Sequence, residues 1–417
     1  MSAATLVEHF FRREYARAVA RLTHRIGAQH LGAVEDAVQC ALMSALESWT
    51  VGGIPENPSA WVYRVAQNTL LGELRRQSRR NRLLDLSVTE GSWSHSEAPA
   101  LLDEPDEDDD LLRMLFVCCD EAIPTQSQLV FALKTLCGFS IREIAFRLSL
   151  TEANVYKRLA RARDRLREMP WRPDEITSHQ YAARLPAVQR VLYVLFTEGH
   201  LSSHPESAVR RELCAEAIRL CTVLASRPVG QTPETFALLA LMHFHAARAT
   251  ARQDVNGGLL LLEEQDRALW DTTAIGIGLQ WLARSATGNT YSRYHAEAGV
   301  AVEHCLAPSL AETRWERVVA CYTLLEQVAP SAVHTLNRAV ALAEWQGAPA
   351  GLELLNSSKQ SSWLAGSYMW FAVLADLHGR CGDAQTSQRF RTLALDAAPT
   401  PAVRTSLHRR LAITSRV

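Results

Sequence analysis

The stretch FSIREIAFRLSLTEANVYKRLARARDRLRE, Phe139 to Glu168, constrains the chain more than any other. Ser140 stands three residues before Glu143, the spacing of a capping box that starts a helix at Ile141. Ile141, Ile144, Ala145 and Leu148 recur at helical spacing and give that helix one apolar face. Ser149 and Leu150 fit a turn. Thr151 is a good N-cap for a second helix, and Glu152 suits the positive end of its dipole. In the second helix Val155, Leu159, Ala162 and Leu166 form a buried stripe, with Lys157, Arg158, Arg161 and Arg165 away from it. A helix apolar on one side and cationic on the other can pack on its partner while entering a phosphate-lined groove. The segment therefore reads as a helix-turn-helix. Ala153, Asn154, Tyr156, Lys157, Arg158 and Arg161 are the candidates for base edges and flanking phosphates.

The 417 residues are enough for about three domains. A net charge of −1 at pH 7 looks wrong for a DNA-binding chain until it is mapped. From Leu83 to Asp110 there is no Lys or Arg, and carboxylates run from Asp85 through Asp103, Glu104 and Asp106 to Asp110. Basic residues cluster on either side, at Arg75 to Arg82 and Lys157 to Arg167. The nine cysteines are scattered without a C-x-x-C pair, which supports neither a disulfide framework nor a zinc site and suits a reduced cytoplasm. His243 and His245 are two apart, which on a helix sends them to different faces. No cofactor or metal is expected. No catalytic residue is expected either: phosphate-cradling glycine loops, nucleophile elbows and metal-ligand clusters are not found.

Apolar spacings of three and four dominate, so the expected fold class is all-α. Residues 1–82 are expected to form a first helical domain. Within it Val34, Val38, Ala41, Leu42, Ala45 and Trp49 make one stripe, with Glu35, Asp36, Gln39 and Glu47 on the other side. Gly52, Gly53 and Pro55 break that helix; Asn57 and Pro58 start the next. It buries Val62, Val65, Ala66 and Thr69 and leaves Arg64, Asn68, Leu71 and Arg75 opposite. Residues 83–110 read as a flexible acidic linker. A helical unit follows at 111–169, bounded by Pro170 and Pro173. Residues 170–417 read as a larger helical domain. Near 330–400, Gly347, Gly382, Phe390, Ala394 and Pro399 partly match the pattern of tetratricopeptide repeats.

In this order the segments resemble an extracytoplasmic-function sigma factor. VEDAVQCALMSALESW resembles region 2.2, NPSAWVYRVAQNTLLGELRRQSRR resembles regions 2.3 and 2.4, and the helix-turn-helix resembles region 4.2. The segments LLRMLFVCCDEAIP, RLPAVQRVLYVLFTEGH, ELCAEAIRL, LLLLEEQDRALWD and LNRAVALAEWQG resemble the subgroup whose sigma core is fused to a tetratricopeptide-like extension. The resemblance implies that core RNA polymerase and promoter DNA are the partners. It assigns Glu35, Asp36, Gln39 and Glu47 to the polymerase. Trp61, Tyr63, Arg64, Asn68, Arg75 and Arg76 fall to the −10 element, and the second helix of the helix-turn-helix to the −35 element. Arg79, Arg80 and Arg82 would hold phosphates. Trp61 either stacks on a melted base or belongs to the core. The acidic linker is either a tether or, as the resemblance implies, a nucleic-acid mimic threaded through polymerase.

Four positions depart from the family pattern. Cys40 stands where an acidic residue is usual, Gly72 replaces a common Asp, Gln67 replaces a common Arg, and Tyr156 is bulky for its place. The C-terminal domain is expected to regulate the sigma core or to bind an unknown protein or ligand. The other reading left open is a helix-turn-helix transcription regulator with a helical-repeat sensor.

Overall fold

The computed structural model describes residues 3–84, 107–168, 176–202, 209–254, 258–358, 362–398 and 401–413. Its elements are helices, and the extended pairing among the described residues is an isolated bridge between Gln253 and Leu259. The all-α expectation holds. The chain divides into two compact units: residues 1–198 with 215–230, and residues 199–214 with 231–417.

The first unit opens with α1 (Ala3–Ile26), α2 (Leu31–Gly52) and α3 (Pro58–Leu84). Gly27 makes the turn into α2 at φ 102°, a backbone conformation that favours glycine, and its N–H donates to the Thr23 carbonyl at 2.8 Å. The α2 stripe buries Val34, Ala37, Val38, Ala41 and Ala45, while α3 buries Val62, Ala66 and Leu70. Each fully buried Val or Leu contributes about 1.5–3 kcal/mol relative to exposure. The Asn57 side-chain oxygen accepts from the Ala60 N–H at 2.9 Å, so the expected cap of α3 is present.

The acidic stretch differs from expectation at both ends. Leu83 and Leu84 belong to α3, and α4 (Glu107–Cys118) begins inside the supposed linker; residues 85–106 lie outside the described residues. Asp110 is buried, with its Oδ1 2.7 Å from His24 Nδ1 on α1. The end of the acidic run is thus docked structure, because burial of Leu111, Leu112, Leu115 and Phe116 carries the adjoining turn with it.

Next come α5 (Thr125–Thr135), α6 (Ile141–Arg147) and α7 (Glu152–Glu168). They are followed by α8 (Ser178–His200) and α9 (Arg211–Ser226), most of which belong to the first unit. Arg184 of α8 is buried in an ion pair with Asp120 and donates to the Phe116 carbonyl at 3.4 Å. Tyr181 meets the Phe116 ring edge-on at 4.8 Å. Glu198, wholly buried, lies 3.7 Å from Arg147 on α6. The prolines at 170 and 173 suggest a domain boundary there, yet α8 completes the core built by α4 to α7.

The second unit comprises α10 (Pro233–Ala247), α11 (Thr272–Ser285), α12 (Arg293–Leu306), α13 (Trp315–Val328), α14 (Ala332–Gln346) and α15 (Ala348–Ser357). It closes with α16 (Ser362–Ala365), α17 (Tyr368–Arg380), α18 (Ala384–Asp396) and α19 (Pro401–Ile413). Helices adjacent in sequence pack on each other, as in the pairs α10–α11, α13–α14, α14–α15 and α17–α18. Gly347 and Gly382 turn the last two of these hairpins at φ 95° and 82°. Phe390 stacks on Phe371 and His378, and Ala394 is fully buried beside them. Pro399 lies outside the described residues.

Candidate polymerase and nucleic-acid surfaces

The helix-turn-helix forms as the residues dictate. Ser140 Oγ accepts from the Glu143 N–H at 3.1 Å, and the Glu143 carboxylate accepts from the Ser140 N–H at 2.6 Å. Between the helices Ser149 takes φ 52°, a left-handed conformation uncommon outside glycine. Thr151 Oγ1 accepts from the Asn154 N–H at 3.3 Å and fixes the start of α7. Val155, Leu159, Ala162 and Leu166 are buried, as the spacing required. Ala153, Asn154, Tyr156, Lys157 and Arg161 are exposed on the other side, Tyr156 by 60%. Arg158 is less available: its guanidinium donates to Gln126 Oε1 at 2.9 Å, which ties it to α5. Phe146 of α6, 64% exposed, adds an apolar edge that sequence reasoning did not select.

On α3, Arg64, Asn68, Leu71, Arg75 and Arg76 are exposed on the described length of the helix, and Arg79 continues the basic run. Arg76 is held 2.8 Å from Glu73 at the surface, a pairing weak enough to exchange for a phosphate. The two aromatics are placed differently. Trp61 is half-buried and meets the Trp49 ring edge-on at 5.5 Å, with Phe11 stacked beyond Trp49. Tyr63 is half-buried under Arg21 of α1, whose guanidinium sits 4.5 Å from the ring centroid. Burial raises the Tyr63 phenol above its ordinary value despite Arg25 and Arg21 nearby. The last turn of α2 exposes Val51 and the loop that follows exposes Ile54, apolar side chains of the kind that lie against unstacked bases.

On α2, Asp36, Gln39 and Glu47 are exposed as expected. Glu35 is not. It is 3% exposed, accepts from Thr135 Oγ1 of α5 at 3.1 Å, and accepts from the Arg163 guanidinium of α7 at 2.6 Å. Its place beside Tyr15, whose hydroxyl is raised by burial and then by Glu35, completes a buried polar contact between α1, α2, α5 and α7. In this packed form Glu35 does not lie on the open acidic face: helical phase turns it about 100° from Asp36, toward α7. The stripe that faces solvent instead runs through Asp36, Gln39, Cys40, Met43, Leu46 and Glu47, with Met43 62% and Leu46 50% exposed. Met43 and Leu46 lie off the buried 34–38–41–45 stripe, so their phase marked them in the sequence.

Residues 11–80 match the model of sigma-70 region 2 and residues 113–166 that of sigma-70 region 4. Residues 184–286 match a family of unknown function, DUF6596. An uncharacterized protein of Rhizobium meliloti (strain 1021) is 34% identical over 387 residues, 91% of this chain and 90% of the relative. No solved structure matches the chain. No helix among the described residues is long and apolar enough to cross a membrane. The surfaces of α2, α3 and α7 are therefore those of two sigma-70 regions, and the chain belongs to the sigma-70 family as an extracytoplasmic-function-like sigma factor with a C-terminal extension.

Proposed function

We propose that this sigma factor, whose regions 2 and 4 serve transcription initiation through core RNA polymerase and promoter DNA, divides its work among three surfaces. The α2 stripe Asp36, Gln39, Met43, Leu46 and Glu47 docks on polymerase, the apolar pair adding buried area and the carboxylates orienting the encounter. Arg64, Asn68, Arg75 and Arg76 meet the −10 element. Trp61 and Tyr63 shape the base of that face more than they touch DNA. Asn154, Tyr156, Lys157 and Arg161 meet the −35 element, with Ala153 allowing close approach. The observation that carries the reading is the exposure of donors on α3 and α7 within a chain whose α2 stripe is acidic and apolar.

The two elements lie 25 base pairs apart by their names, about 85 Å at about 3.4 Å per step. A compact unit of about 200 residues has a radius of gyration near 17 Å. The packed form, with Glu35 bound to Arg163, is therefore the free form, and regions 2 and 4 separate on the promoter. The helical domain behind region 4, with its tetratricopeptide-like hairpins, is the built-in regulatory or partner-binding module. The domain limits expected from the sequence belong to this proposal, with α8 moved to the sigma core.

In vitro transcription from a promoter-fragment library tests the reading, with core polymerase and the full chain. Start sites that depend on the protein, and shift or vanish with Arg64→Ala plus Asn68→Ala, are expected. DNA binding without stable binding to core polymerase would favour the regulator reading instead.

A further inference from the structure

Within the second unit Arg248, Arg252 and Arg267 are drawn together. Among the described residues none of them has a carboxylate within ion-pair distance. Other arginines of this unit are answered, Arg210 by Glu212 at 3.4 Å and Arg338 by Glu326 at 3.2 Å. Arg248 caps the C-terminal end of α10, whose carbonyls favour a cation but do not neutralise three. Arg248 and Arg267 flank the buried Trp270 ring, at 5.6 and 4.5 Å from its centroid. Arg252, 9% exposed, meets His200 Nε2, and the His200 ring lies 4.4 Å from that of His245.

Three buried donors there lack an acceptor among the described residues. Arg267 Nη1 donates to the carbonyls of His304 and Ala307 at 2.6 and 2.7 Å, but its Nη2 has no acceptor. Arg248 Nε and Trp270 Nε1 are likewise buried without an acceptor. Cys305 cannot supply the missing charge, because burial raises its thiol to about 11. Glu312 acts on Arg267 after burial and Cys305, and accepts from Ser309 Oγ at 2.8 Å. The neighbouring imidazoles register the positive field: burial, then Arg248 and Arg267, hold His304 down at about 4. Arg252 is buried and Arg248 and Arg267 are half-buried, and such a cluster, with no carboxylate among the described residues in ion-pair contact, is costly to fold unless an anion joins it.

We propose that Arg248, Arg252 and Arg267 form an oxyanion site that takes the phosphate group of a small molecule. Guanidinium forks match the oxygens of phosphate in pairs. A phosphate monoester carries about −1.5 to −2 at neutral pH, closer to three guanidinium charges than a single carboxylate is. Arg252 and Trp270 are 9% and 6% exposed, which suits a small ligand better than a polymer backbone. The histidines are not a metal set, since no three His, Cys, Asp or Glu among the described residues are placed to hold one. The inference concerns binding alone and stands apart from the regulatory reading.

The test is thermal unfolding and titration calorimetry of the full chain, with inorganic phosphate against chloride at matched ionic strength and succinate as a carboxylate control. Phosphate is expected to raise the unfolding midpoint saturably, and more than succinate does. Arg248→Met is expected to raise the midpoint in chloride and to abolish the phosphate response. Arg267→Met is expected to weaken that response, and it covers the case in which Arg248→Met fails to fold. Identical curves in phosphate and chloride would overturn the site, as would a full phosphate response in both variants. A larger response to succinate would overturn the assignment to phosphate.

Discussion

Replacing Glu35 by Gln tests how regions 2 and 4 are held together. The substitution keeps the side-chain shape but removes the charge that Arg163 faces at 2.6 Å, and it weakens the acceptor for Thr135 at 3.1 Å. Breaking a buried pair by removing one partner costs about 3–5 kcal/mol, and one charge-assisted hydrogen bond about 1.5–3. The Arg163 side chain is 36% exposed, so water takes up part of its charge, and a loss of about 2 kcal/mol is expected. The assay is a double-mutant cycle in urea with Glu35→Gln, Arg163→Gln and both together. A coupling of about 1–2 kcal/mol is expected between the two positions. Separating the two helices should also tighten binding to core polymerase, since the free form no longer holds α2 against α7. Single changes that add to within about 0.5 kcal/mol would refute the argument, because independent sites behave that way.

Other consequences follow from the same structure. Removing Lys157 and Arg161 should lower the slope of log affinity against log salt by about 0.9 for each phosphate no longer neutralised, read from promoter binding at several salt concentrations. Ser149→Val places a β-branched residue at φ 52° and should destabilise the helix-turn-helix by about 1–2 kcal/mol in urea unfolding. Cleaving the chain after Met169 removes Arg184, the buried partner of Asp120, and strips α8 from the region 4 core. That fragment should aggregate or unfold at a lower temperature than the full chain. Burial raises the thiols of Cys119 and Cys137 from 9.0 to about 12. Their folded forms stay protonated, so the stability they contribute is complete below pH 9 and is lost as pH rises toward 12. A thiol reagent at pH 8 should therefore modify exposed Cys40 and Cys381 first, and a uniform rate for all nine cysteines would contradict the packing.

Much of this was legible in the sequence because it is local. The caps at Ser140, Asn57 and Thr151 depend on residues within one helical turn, and each forms. The stripes of α2, α3 and α7 follow from a period of 3.6 residues, which also tells Arg64 and Asn68 from Val62 and Ala66. Periodicity gives the angle of a side chain about its own helix, not what stands opposite. Asp36 and Glu35 are adjacent carboxylates in sequence; only α5 and α7, about a hundred residues on, make one a surface charge and the other a buried acceptor. Likewise Asp110 ends an acidic run that reads as linker until His24 is placed beside it. Arg248, Arg252 and Arg267 read as ordinary surface cations until tertiary packing takes water from them and leaves them facing one another, for the field at a charge is set by neighbours the sequence does not order.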